Sequence, residues 1–178
     1  SHGGNVAVVK NGFALMTGGK ITGGKATSRG GNVYVHSGGT FNMTGGVVEK
    51  GNATNGGNIE SYGTGATAII SGGLVTEGVA SSRGGNIYAY GDASNGVGSL
   101  RVSGTAEIIS GKAKDGGNGC SYGGNMVINA GTIQDGIASQ YGGNLYAQSS
   151  GSITIQGGLV KDGEATTEGG NLYAKGNS

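Results

Sequence analysis

Proline and tryptophan are absent from this 178-residue chain, cysteine occurs once, and only 12% of the residues are charged. Each scarcity removes a class of protein. The single cysteine, Cys120, excludes an intrachain disulfide framework. No apolar run approaches the roughly 20 residues that a spanning helix needs, so membrane insertion is not expected. Eleven Lys and Arg against ten Asp and Glu leave a net charge of +1, without the basic footprint that nucleic acid or an anionic membrane surface selects. No nucleic-acid partner is expected. No segment has the pattern of a secretory leader, so an export signal for this chain would lie outside it.

Glycine is the residue in excess, at 44 positions. Without a period, that share would suggest disorder. Here it has one. The words Gly84-Gly85-Asn86-Ile87-Tyr88-Ala89 return as Gly30-Gly31-Asn32-Val33-Tyr34-Val35, Gly142-Gly143-Asn144-Leu145-Tyr146-Ala147 and Gly169-Gly170-Asn171-Leu172-Tyr173-Ala174. Taking the asparagine as a register mark gives Asn5, Asn32, Asn58, Asn86, Asn118, Asn144 and Asn171, mostly 26 to 28 residues apart, with one longer coil from Asn86 to Asn118. Asn125 also follows a Gly-Gly pair, but Asn118 keeps the next coil at its normal length. A period of this size means stacked units, each too small to bury a core alone.

Within a coil, three short pieces carry the pattern. After the asparagine, residues alternate, with Val33 and Val35 on one face and Tyr34 on the other, a strand signal. A second piece has apolar flanks, as in Phe41-Asn42-Met43 and Met126-Val127-Ile128; a third carries one large apolar residue (Ile21, Val48, Val75, Ile133, Val160), followed five positions later by an alanine. A helix would not tolerate the glycine pairs, each costing about 1 kcal/mol in its interior. The chain is therefore expected to be all-β: a single right-handed parallel β-solenoid (β-helix) of six to seven coils over residues 1–178, with three short strands per coil, rising ~4.8 Å per coil. Because it opens and closes inside the same motif, it is expected to be a piece of a longer protein and to present ends open to end-to-end self-association. The asparagine column is expected to point inward as a hydrogen-bonded structural ladder; a turn asparagine in left-handed geometry is the other reading.

The stretch Thr40-Phe41-Asn42-Met43-Thr44-Gly45-Gly46, the Gly-x-Ala step at Gly51-Asn52-Ala53 and the pair before Asn58 resemble the glycine-rich right-handed β-helix repeats of adhesin-like bacterial surface proteins, within the broader pectate-lyase-like superfold. The resemblance covers the whole chain and rests on corner and core residues. It implies secretion or cell-surface display and a stalk-like or adhesive role. It carries no catalytic residue onto this sequence.

Chemistry-bearing groups are sparse. Asp135 and Asp162 align 27 residues apart, with Glu77 and Lys50 continuing the column. Paired carboxylates on adjacent coils could serve glycoside hydrolysis, but a mixed-charge column beside a glycine corner reads as a solvated row. His2 and His36 fall on different parts of the coil with no ligand at metal spacing, and Cys120 stands in the tyrosine column without a histidine partner. No catalytic, metal or cofactor residue is assigned, and no enzyme activity is expected. Two outward columns are candidates for binding. Tyr34, Tyr88, Tyr146 and Tyr173 form one, interrupted by Glu60 and Cys120, and suited to glycan. Thr27, Thr54, Ser81, Ser139 and Thr166 form a hydroxyl column at a corner, resembling the faces of ice-binding solenoids and broken by Lys114. The insert Gly91-Asp92-Ala93-Ser94-Asn95-Gly96 lengthens one coil and reads as a tolerated loop extension. The expected function is a non-enzymatic structural or adhesive repeat of an exported protein, a rigid rod displaying faces; the alternative is a module binding glycan or an ice surface.

Overall fold

The computed structural model describes residues 1–176. They contain no helix; short parallel strands stack into a β-solenoid of about six turns. One coil runs Ile59–Tyr62, Thr67–Ile70, Leu74–Thr76 and Val79–Arg83. Each strand pairs in parallel with its equivalents above and below, as Ile59 does with Val33 and Ile87. The sequence register is reproduced down the stack: Val6, Val33, Ile59, Ile87, Gly119, Leu145 and Leu172 lie in one column. Asn125 pairs with Ser99, in the column of Thr67 and Thr40, so Asn118 is the true register mark.

A fourth strand per coil is added to the three read from the pattern. It spans Asn52–Asn55, Val79–Arg83, Lys112–Asp115 and Ile137–Tyr141, and contains the conserved-register alanines Ala53, Ala80 and Ala138. Its alternation is hard to see because the register shifts after the alanine, between Ala80 and Arg83 for instance. Such a bulge moves the following side chains to the other face.

The main core lies inside the first three sheets. Val33, Val35, Phe41, Met43, Val48, Ile59, Ile70, Val75 and Ile87 are essentially fully buried, each stacked on equivalents in neighbouring coils. At about 1.5–3 kcal/mol per buried large side chain, this offsets chain ordering only because coils share walls.

The asparagine column is the ladder. Asn58 Nδ2 donates to Asn86 Oδ1 at 2.8 Å and to the Thr76 carbonyl at 2.8 Å, while Asn58 Oδ1 accepts from Asn32 Nδ2 at 2.7 Å and from the Gly51 amide at 2.9 Å. The row continues without a break from Asn5 to Asn171. Asn32, Asn58, Asn86, Asn118 and Asn144 are wholly buried. The glycine that donates to each amide stands too close for a side chain: a Cβ on Gly78 would lie 2.2 Å from the Gly85 carbonyl and 2.7 Å from Asn86 Oδ1. At the next corner Gly84 has φ +63, the left-handed region that favours glycine.

Asn58→Ala removes an amide with four partners and strands their buried donors and acceptors, each costing about 1–3 kcal/mol. Chemical denaturation is expected to show a loss of about 3–5 kcal/mol, clearly more than Asn55→Ala, whose side-chain oxygen is buried without a partner. Equal small losses would remove the ladder from its structural role.

Candidate functional site

The tyrosine column faces away from the main core, as the alternation requires, but it does not face solvent. Tyr34, Tyr88 and Tyr146 are 6%, 1% and 2% exposed, Glu60 and Cys120 not at all, and Tyr173 is half-buried. This corrects the exposed binding face expected of Tyr34, Tyr88 and Tyr146; of the four, Tyr173 keeps a partly exposed side chain. The cause is the fourth strand. After its bulge, the ends of these strands fold back before the glycine corner and cover the outer face of the first sheet, enclosing a second cluster around Tyr88, Cys120 and Tyr146. Alternation reveals which side of a sheet a residue takes, not whether something covers that side.

The next outward position along the first strand, four residues after the ladder asparagine, carries the partly exposed aromatic row. It reads His36, Tyr62, Tyr90 and Tyr122, then Gln148. Ring centroids are 5.2 Å apart for His36–Tyr62, 4.8 Å for Tyr62–Tyr90 and 5.9 Å for Tyr90–Tyr122; the two tyrosine pairs are parallel to within 7° and 1°. Tyr141 stacks on Tyr173 and Tyr146 further along. All eight tyrosines of the chain take part in this one aromatic face. So do both histidines. His2 and His36 sit at different points of the coil, yet both lie against Tyr34, at 5.0 Å and 5.7 Å. The row was legible in the sequence to anyone extending the repeat by two residues past the Gly-Gly-Asn-x-Tyr word.

Two arginines brace the rings, Arg83 at the end of a covering strand and Arg29 in the same column, joined to it through Asn55. The Arg29 guanidinium lies 3.9 Å from the Tyr62 centroid and 5.0 Å from that of Tyr90; Arg83 lies 4.4 Å from that of Tyr122. Arg29 Nη1 also donates to Glu60 Oε1 at 2.7 Å. Burial pushes the Glu60 carboxyl up from 4.5 to about 8, against the opposing pull of Arg29; its second oxygen accepts no hydrogen bond within the protein. Burial likewise raises the Asp115 carboxyl, opposed by Arg83, and pushes the Tyr34 and Tyr146 phenols up to about 12.

The insert is an ordered hairpin whose Asp92 is its keystone. Asp92 accepts from the Ser94 and Asn95 amides at 2.8 and 2.6 Å, and from the Tyr90 hydroxyl at 2.6 Å. These bonds hold its carboxyl down at about 2. The Asn95 carbonyl in turn accepts from the Thr64 amide of the coil below. The extension thus does more than pass the chain along: it fixes the central ring of the row.

The other candidates are placed as follows. Thr54, Ser81 and Ser139 project from the fourth strand itself rather than from a corner, with Thr27 and Thr166 in line. On the same outward face stand Lys25, Asn52, Val79, Lys112 and Ile137, so the hydroxyls alternate with charged and apolar groups. Asp135 and Asp162 are exposed and occupy a left-handed column with Lys50, Glu77 and Ser110, all at φ between 52 and 57. Asp162 pairs with Lys161 at 2.8 Å, and Lys50 lies 3.8 Å from Glu77. Among the described residues no group of three or more His, Cys, Asp or Glu is arranged to hold a metal ion. Compared with family models, curated proteins and solved structures, the chain matches none.

Two measurements check this layer. A folded carboxyl near 8 against 4.5 in the unfolded chain means the native state holds the extra proton between those values. The stabilisation is complete below about pH 4 and is lost as pH rises toward 8. The unfolding midpoint is therefore expected to fall across that window, and Glu60→Gln to remove the larger part of the slope; an unchanged slope would exclude Glu60 as its source. The Cys120 thiol, buried and pushed well up by that burial, is expected to resist alkylation at pH 8 in native protein and to react fully once denaturant unfolds it.

Proposed function

We propose that this chain is a non-enzymatic structural and adhesive segment of an exported cell-surface protein, a stiff rod whose work is to hold a recognition face in place. The observation that carries the reading is the gathering of every tyrosine and both histidines of the chain on one side of the stack. The unbroken ladder supports it, because a row of buried amides in fixed register holds that side straight over six steps. The likeness of its glycine-cornered words to adhesin-like β-helix repeats supports the cellular setting. Recognition faces work best on rigid scaffolds, where ordering the binding groups costs little on association.

The test is location. Antibodies raised against this segment are expected to label intact producing cells, and brief protease treatment of those cells to abolish the label. Labelling only after permeabilisation would overturn the proposal.

A further inference from the structure

We propose that the outer face of the second sheet, built from Thr67–Ile70 and its equivalents, is an ice-binding surface on which the side chains of six stacked strands meet the ordered oxygens of a crystal. It adds a second working face to the rod, and it rests neither on the aromatic row nor on where the rod is displayed.

Charge and regularity single this face out. Of the eleven basic and ten acidic residues of the chain, only Arg101 lies in the six strands of this sheet. The third sheet carries Lys20, Glu49 and Glu107, the fourth carries Lys112 and Glu164, and the first is roofed over. An ion keeps a hydration shell that an ice lattice does not accommodate, so a face almost free of charge is the one a frozen surface admits. Register along the second sheet is unbroken through all six strands, whereas the fourth is bulged. An unshifted sheet repeats in two directions, at about 4.8 Å from coil to coil and about 6.7 Å between every second residue of a strand. The oxygen rows of hexagonal ice repeat close to the first of these steps, and a periodic face meets a lattice at many points together.

The side chains supply the matching chemistry. One outward column starts at the exposed Phe13 and then reads Thr40, Thr67, Ser99, Asn125 and Ser152. Four residues further along each coil, Thr44, Ser71, Ser103 and Asn129 stand level at the strand ends. A hydroxyl both donates and accepts, as water does, so a column of hydroxyls can stand in for a row of lattice oxygens. Between the two columns the half-buried Ile69 and Val127 alternate with Asn42, Arg101 and Thr154. Apolar surface restricts the orientation of the water over it, which favours an ordered layer between the anchoring hydroxyls. Some of these groups are already fixed: Ser152 Oγ donates to Asn125 Oδ1 at 3.0 Å, and Arg101 Nη1 to Asn129 Oδ1 at 2.9 Å. Little side-chain freedom there is left to lose on adsorption. Phe13 is the one aromatic ring at these outward strand positions, so no platform for stacking sugar rings runs along them.

The experiment is thermal hysteresis of the whole chain at a seeded ice crystal, with the shape of the crystal recorded. A gap between melting and growth is expected, with faceted growth beyond it. Ile69→Lys, which sets a charge in the middle of the face, is expected to narrow that gap about tenfold. Arg101→Thr, which removes the one charge already there, is expected to widen it, a gain that a folding defect would not produce. Ser81→Lys, in the hydroxyl column of the fourth strand, is expected to leave the gap as it is. No hysteresis and no faceting in the parent chain would overturn the proposal, as would a gap abolished by Ser81→Lys and untouched by Ile69→Lys. A concentration-dependent dimer lost in Ile69→Lys would assign the face to a second copy and also overturn it. In each of those cases antibody labelling of intact cells still reads the surface-rod proposal separately.

Discussion

A buried asparagine amide brings two donors and an acceptor oxygen into a place water does not reach, and every one of them must be satisfied locally. Here each amide meets that demand in the same way, from the amides one coil below and above and from two backbone groups at the nearest corner. Much of the rest follows. The amide needs a backbone N–H within 3.0 Å, so the donor has to be a residue without a side chain, as Gly51, Gly78 and Gly136 are. It needs a neighbour at one coil's rise, so insertions cannot lie between ladder positions unless they leave the stack. The one insertion does leave it, as a hairpin anchored by Asp92.

The outer aromatic layer depends on that inner order. The first sheet follows the ladder at its edge in fixed register, and its outward residues, stacked at the same rise, become a column of rings. The fourth strand then closes over part of it. What is covered differs from what is open by two residues along one strand: Tyr88 lies beneath, Tyr90 at the surface. Arg29 donates a hydrogen bond to the buried Glu60 carboxyl, and the same guanidinium covers the rings of Tyr62 and Tyr90. One side chain thus serves both a buried polar group and ring positioning.

Much of the architecture is legible in the residues. The Gly-Gly-Asn words set the period and the register, including the choice of Asn118 over Asn125, because a fixed period leaves only one placement that keeps all coils aligned. The ladder follows from the invariance of one polar position among apolar neighbours. The fourth strand is not legible, because a bulge between Ala80 and Arg83 breaks the alternation that would reveal it. Without that strand, nothing in the pattern tells that Tyr34, Tyr88 and Tyr146 are roofed over. The roles of Arg29 and Arg83 are not legible either, because their partners, Glu60 and the tyrosine rings, come from other coils, a relation that spacing along the chain does not encode.

The ladder has one more property. Along a parallel sheet the backbone N–H and C=O groups of a strand point alternately up and down the stack, so their dipoles largely cancel. The asparagine amides do not alternate. From Asn5 to Asn171 each donates to the next in the same sense, and each bond polarises its successor. The stack therefore has a direction written in its interior, a thread of aligned amide dipoles with unlike poles. A rod built this way has compass sense: another segment of the same kind can continue it only by arriving in the same orientation, as one arrow follows another.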